Sequence, residues 1–186
     1  ALELLKQDEY VALVVGNDAE RFSIGANLAD AMSSGPEGIE TMIRNLQDLT
    51  IAMRYAPKPV ITAPFNMALG GGAEIMMAGT ASVAHMELYC GLVEFGVGLI
   101  PAGGGCKEMV RRLVNPLAEG GAYVLPGMQR AFENIATAKV SESAKQAREL
   151  GFLTERDRIV MNRDYLLGEA KSYALGLAKT YNPREP

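Results

Sequence analysis

Lys58-Pro59-Val60-Ile61-Thr62-Ala63 and, after residues 64–67, Ala68-Leu69-Gly70-Gly71-Gly72-Ala73-Glu74 decide the fold. Residues 60–63 form a short, unbroken apolar run with β-branched members, which predicts a buried strand. Pro57 and Pro59 close the helix before it. Three consecutive glycines leave the following turn with no side chains, so a ligand can approach its backbone. A short helix is expected from about Gly72 to Gly79. Amides near Gly71 then sit at a helix N-terminus, unpaired and partly positive. Such a place suits a phosphate or a developing oxyanion. A tight turn with close helix–strand packing is the competing reading.

Outward from this stretch, the chain alternates strands and helices. Residues 11–15 read as a buried strand, ended by Gly16-Asn17-Asp18. Ile39, Met42, Ile43, Leu46, Leu49 and Met53 recur at three- and four-residue steps, with Glu40, Arg44, Asp48 and Arg54 on other faces, which predicts a long amphipathic helix. Residues 82–85 and 87–89 read as brief strands. Gly103-Gly104-Gly105 precedes a helix through Leu113. The remainder reads as mostly helical, broken at Pro116, Gly120-Gly121, Pro126 and Gly151. Ser141 and Ser143 are candidate N-caps, Leu166 to Leu177 gives a last amphipathic helix, and the polar tail after Tyr181 is expected to fray. The expected class is α/β with mainly parallel pairing. Residues 1–113 are read as the core and 114–186 as a helical region of the same domain.

Two glutamates stand out chemically. Glu74 closes the glycine-rich turn, and Glu94 opens Glu94-Phe95-Gly96-Val97-Gly98-Leu99-Ile100-Pro101. Both lie in apolar stretches with almost no other charge. A carboxylate there is costly unless paired, hydrogen-bonded or protonated, and two of them beside bare amides point to proton transfer. The plain alternatives are a first-turn glutamate favoured by the helix dipole and a loop carboxylate in water. Rival motifs fail on spacing. Proline at 101 breaks a dinucleotide fingerprint, residues 98–105 lack the Lys-Ser/Thr ending of a P-loop, and no G-x-S-x-G elbow is present.

Composition bounds the rest. The chain has 186 residues, 48% hydrophobic and 22% charged, with a net charge of −4 and no basic block, so nucleic acid is not an expected partner. Cys90, Cys106 and the single His85 give neither a disulfide framework nor a zinc constellation. They fit a reducing, cytoplasmic setting. His85 reads as structural, Met76, Met77 and Met86 as core filling, and Cys106 as an inert buried thiol rather than one activated at a helix start. No signal segment or membrane span is read.

These motifs resemble the crotonase superfamily, and most closely the enoyl-CoA hydratases. Phe22-Ser23-Ile24-Gly25-Ala26-Asn27-Leu28 is similar to its F-x-x-G-A-D-[IL] element. Residues 58–74 are similar to its K-P-V-I-A-A and A-L-G-G-G-x-E stretch, and residues 94–105 to its P-E-x-x-x-G-x-I-P-G-x-G-G block. Val140 to Ala147 and Gly151-Phe152-Leu153 resemble a later A-x-x-A-G-L-V segment. The resemblance implies a spiral of ββα units, assembled as trimers or hexamers. It implies an oxyanion hole from the Ala26 and Gly71 amides, Glu74 and Glu94 as catalytic carboxylates, and a coenzyme A site lined by Ala26, Asn27, Leu28, Ala29 and Gly71. The substrate would be an acyl-CoA thioester. No metal or redox cofactor is implied, and NAD would matter only if a dehydrogenase domain shares the protein.

The departures are specific. Asn27 replaces an aspartate, Ala102 a glycine, and Thr80 stands where an aspartate often occurs. Residues 115–135 look longer than usual. The family's N-terminal strands and first helix are largely missing. Gly103-Gly104-Gly105-Cys106-Lys107-Glu108-Met109 resembles the hydratase-like region fused behind a 3-hydroxyacyl-CoA dehydrogenase, so an excised C-terminal part of such a protein is expected. The leading expectation is hydration of 2-enoyl-CoA in fatty-acid β-oxidation. An enoyl-CoA isomerase and a non-catalytic acyl-CoA-binding module are the alternatives.

Overall fold

The computed structural model describes residues 1–27, 33 and 35–185. After a 3-10 turn at Leu2–Lys6, β1 (Leu13–Val15) leads to α1 (Gly35–Arg54). Then follow β2 (Val60–Thr62), β3 (Asn66–Leu69), α2 (Gly71–Ala78), β4 (Ala81–His85) and β5 (Leu88–Gly91). A 3-10 turn at Glu94–Val97 precedes α3 (Gly105–Leu113), α4 (Asn115–Glu119), α5 (Leu125–Ala136) and α6 (Ala144–Leu150). β6 (Arg158–Val160) and α7 (Leu166–Ala178) complete the described elements.

The strands form two sheets, one ordered β1-β2-β4-β6 and the other β3-β5. Every ladder is parallel, with Leu13 opposite Val60, Ile61 opposite Ala81, Ala68 opposite Cys90 and Val83 opposite Arg158. Parallel neighbours need long crossovers, and here each crossover is a ββα unit. β2 joins the larger sheet, β3 the smaller, and α2 returns the chain; β4 and β5 repeat the pattern. The first turn of the spiral is a reduced version. β1 joins the larger sheet, and Ser23 alone bridges to Ala68 of the smaller one. This is the expected crotonase-like α/β architecture.

Burial explains why these runs choose their conformations. Val60, Ile61 and Thr62 are all fully buried, so β2 is apolar on both faces, as a covered parallel strand must be. Phe65, Met76, Met77, Leu88, Leu92, Met109, Phe152 and Leu166 pack in one contiguous core around it. α7 lays Ala170 and Ala174 against this sheet, small residues that let the helix come close. Among the described residues no helix is long and apolar enough to cross a membrane.

Several details differ from the reading above. Residues 66–69, for which no strand is expected above, form β3, and Arg158–Val160 adds a strand to a stretch read as helical. Both are short and lack alternation, and their pairing comes from tertiary contact. Arg54, read onto an outer helix face, is 6% exposed and meets Glu108 at 3.0 Å. Ser143 caps α6 by accepting from the Gln146 amide at 3.1 Å. Ser141 is no cap: it is buried, accepts from Cys90 N at 2.9 Å and donates to Leu88 O at 3.0 Å. The tail is tied down rather than frayed, with Tyr181 Oη donating to Ala56 O at 3.0 Å. Met86 is 40% exposed, whereas Met76 and Met77 are core.

Candidate active site

α2 begins where the smaller sheet ends. β3 and β5 run side by side to Gly70 and Gly91, where the Gly70 amide donates to Gly91 O at 2.9 Å. Gly70 has φ 54°, a left-handed value that lets the chain turn straight from strand into helix. No side chain caps the first turn of α2, so its leading amides are free to face a ligand. The Ser23 segment lies across this end. A side-chain carbon on Gly25 would stand 3.2 Å from Gly71 N, and one on Gly72 would run into Ser23 O and Cβ. Glycine at 25 and 72 therefore lets residues 23–26 lie directly on the start of α2. Ser23 Oγ accepts from the Gly25 amide at 3.2 Å and shapes that turn.

The structure thus brings the Ala26 segment and Gly71 side by side. Ala26 and Asn27 are exposed beyond the contact. Leu28 and Ala29, also expected to bind substrate, lie outside the described residues.

Glu74 lies in the first turn of α2 and is 2% exposed. Its carboxylate does not fold back onto its own helix. Oε1 accepts from Gly105 N at 2.8 Å, at the start of α3. Burial raises its pKa, while the amides of Gly105, Gly103 and Gly104 pull in the other direction. Gly103 has to be glycine, since any side chain there would meet Glu74 and Leu46.

Glu94 reaches the same place from the other side. It opens the 3-10 turn after β5, and its Oε1 stands 3.3 Å from where a Gly70 side-chain carbon would be. Its Oε2 is buried and has no hydrogen-bond partner among the described residues. Burial raises its pKa to about 7, with the nearby Glu74 charge adding to the rise and its own amide opposing it. The two glutamates therefore feel each other across one glycine-lined site, as a pair of interacting titrating groups.

Cys106 follows Gly105 in the first turn of α3. It is exposed rather than buried. Its thiol pKa is raised, by partial burial first and then by the Glu74 and Glu94 charges, so the helix start does not activate it. His85 is structural, its Nε2 lying 3.1 Å from Met161 O. Cavities of about 410 and 520 Å³ flank α1, the smaller between Gln47, Ile51, Ile100, Gly104 and Lys107.

Two contributors escaped the sequence reading. Thr50 Oγ1 donates to Gly103 O at 2.7 Å, and Gln47 Nε2 donates to Ala102 O at 2.7 Å. Their signal was available: a polar pair at i, i+3 beside Leu46 and Met53, on the face turned to the core.

Comparison with known proteins fits this geometry. Residues 1–139 match the Enoyl-CoA hydratase/isomerase family. The chain belongs to that family. It is 43% identical over 175 residues, 92% of its length, to a Bacillus subtilis protein named "Probable 3-hydroxyacyl-CoA dehydrogenase", covering 22% of that protein. It is 30% identical to the mouse mitochondrial enoyl-CoA hydratase domain-containing protein 2, over 100% of this chain and 57% of that one. Among solved structures, an enoyl-CoA hydratase from Polaromonas sp. JS666 superposes with a TM-score of 0.75 at 26% identity, covering 95% of this chain and 65% of that one. One from Bacillus anthracis, at 24% identity, shares the fold with a TM-score of 0.79, covering 96% and 62%. The chain thus spans about a fifth of the Bacillus subtilis relative and less than two thirds of the solved hydratases.

Proposed function

We propose that this chain carries enoyl-CoA hydratase chemistry: syn addition of water to a 2-enoyl-CoA thioester, in fatty-acid β-oxidation. One observation carries the reading. Glu74 and Glu94 converge on a single glycine-lined site beside the uncapped first turn of α2.

The roles follow from their surroundings. Glu74, held by the Gly105 amide, is the better hydrogen-bonded carboxylate and acts as the base that orients and deprotonates water. The water oxygen bonds to C3, and the electron pair of the C2–C3 double bond moves toward the thioester carbonyl. Negative charge develops on that oxygen, and the amides of Ala26 and Gly71 receive it. Losing one such donor costs about 3 kcal/mol of transition-state stabilisation. Glu94, with its pKa raised to about 7, holds a proton that it delivers to C2. Mutual repulsion favours one ionised and one protonated carboxyl, the state the reaction needs. Water and thioester balance the reaction without a redox partner. Coenzyme A enters as part of the substrate, bound along residues 26–29. NAD would be used only by a dehydrogenase domain in the same protein, and the setting is cytoplasmic.

Loss of the conjugated enoyl-thioester absorbance tests the reading, and chromatography of the product separates a 3-hydroxyacyl thioester from a shifted double bond. Appearance of only the isomer assigns the same site to isomerase chemistry. The B. subtilis relative's name and the 22% coverage favour a second reading, an acyl-CoA-binding module of a bifunctional dehydrogenase. Thioester binding without turnover supports that alternative.

A further inference from the structure

The strongest unexplained geometry lies on the side of α1 that faces the start of α3. Gln47 and Thr50, one helical turn apart, each donate to a backbone carbonyl of the segment that enters α3. Thr50 is 3% exposed, and its hydroxyl sits between Gln47 O at 3.0 Å and Gly103 O at 2.7 Å. A hydroxyl has one proton, and the shorter contact is the one to Gly103. Four residues further along, Arg54 Nη1 meets Glu108 Oε1 at 3.0 Å, so α1 also grips the body of α3. The glycines between these grips have no side chains that could fix them. Residues 103–105 nevertheless turn their amides to Glu74, with Gly105 N donating to Oε1 at 2.8 Å.

From this we infer that Thr50, seconded by Gln47, is a positioning residue for the reaction: it fixes the Gly103 peptide so that the 103–105 amides hold the Glu74 carboxylate in place. Neither residue touches the reacting atoms. The inference rests on the reading of Glu74 as the base. A bare glycine segment would otherwise move freely, and a small misplacement of a reacting group costs orders of magnitude in rate. Leu46, on the same helix, meets Gly103 and limits motion from the apolar side.

The electrostatic surroundings make the effect measurable. The charged and titratable groups facing Glu74 are Glu94, from the turn after β5, and Cys106, from the first turn of α3. Leu46 of α1 lies beside Glu74 at Gly103, and Lys107 lies on the Gly104 side. Burial disfavours the Glu74 charge. The three amides are thus the groups that favour ionised Glu74, and loosening them raises its proton affinity.

The test compares wild type with Thr50→Val, which keeps the shape and removes the donor, and with Thr50→Ser, which restores it. Gln47→Leu, at an exposed position, is the milder second probe should Thr50→Val fail to fold. Carboxyl 13C titration of labelled glutamates follows Glu74 directly, with Glu74→Gln assigning its resonance. Glu74 is expected to titrate higher in Thr50→Val by about half a unit or more, and by less in Gln47→Leu. The acid limb of the kcat profile should move with it, with kcat down roughly tenfold, KM little changed and Thr50→Ser near wild type. Unchanged Glu74 titration in folded Thr50→Val and Gln47→Leu overturns the inference. A wild-type protein that turns over no enoyl thioester would instead overturn the hydratase reading, and the titration would still decide what Thr50 does.

Discussion

Glu94 holds a charge that its surroundings oppose, and that opposition has a sign. Its folded pKa of about 7 lies above the ordinary carboxylate value of 4.5. The native state therefore binds the proton more tightly than the unfolded chain does. This contribution to stability is present in full below the unfolded pKa and is lost as pH rises through about 7. Glu94→Gln should be more stable than wild type at pH 8 by on the order of 1–2 kcal/mol and no more stable near pH 4. Urea melts at both values check this. The same variant should lose most hydration, read from the enoyl absorbance. A second residue-level outcome concerns Gly72, where an added methyl runs into Ser23. Gly72→Ala is expected to cost about 1–3 kcal/mol and to displace the Ala26 segment, lowering kcat well over tenfold. Gly71→Ala is a control for stability alone, since its methyl meets Leu46 and Gly25 at the ordinary contact distances of 3.5 and 3.7 Å. Both glutamates were legible in the sequence because an isolated carboxylate in apolar company is chemically anomalous. What holds them was not: Gly105 lies 31 residues from Glu74, and only folding brings its amide there.

Among the elements, α3 is the hinge between site and core. Glu108, 2% exposed, meets Arg54 at 3.0 Å, Arg111 at 2.7 Å and Arg112 at 3.3 Å. The Arg54 contact is ionic without hydrogen-bond alignment, which leaves Arg54 Nη1 and Glu108 Oε1 otherwise unpartnered. Arg112 continues outward to Met77 O and Phe152 O, so one carboxylate organises α1, α2, α3 and the segment after α6. Burial pushes Glu108 up, and the three arginines together bring its pKa below the usual range. Its stabilisation is present above the unfolded pKa and is lost as pH falls through the lower folded value. Glu108→Ala strands buried guanidinium charge and should destabilise by about 3–5 kcal/mol in chemical denaturation. Ser143→Ala, which removes only the α6 cap, should cost about 1 kcal/mol. α1, α2, α3 and α7 were readable because apolar periodicity or a glycine start marks each of them. β3 and β6 were not, because strands of four and three residues have too little length to show a period.

At the level of the whole molecule, the surface is less settled than the core. Phe95 is 53% exposed, Val97 58%, Ile100 66% and Phe132 74%. The 3-10 turn that carries Phe95 and Val97 packs beside α5, which carries Phe132. A run of exposed apolar side chains in one region marks a surface that is covered in use. Self-association into a trimer or hexamer is the expected outcome, and Phe132→Glu should lower the mass seen by light scattering while leaving the far-ultraviolet circular dichroism unchanged. The α/β class with parallel pairing was legible as alternating strand and helix signals, and the spiral of ββα units followed from the family resemblance. Its closure was not, because the last strand of the larger sheet comes from a stretch that reads as helical.

Gly91 and Ser141 set a practical boundary. The outer edge of β5 is sealed by Val140, which bridges to Gly91, and by the Ser141 hydroxyl, which serves both Cys90 N and Leu88 O. The family match stops at residue 139, just short of that seal. Anyone trimming the gene to the matched region would leave Cys90 N, Cys90 O and Leu88 O of a buried strand without these partners, next to the glutamate that opens the following turn. The smallest transplantable unit therefore runs past residue 139, through α6 at least.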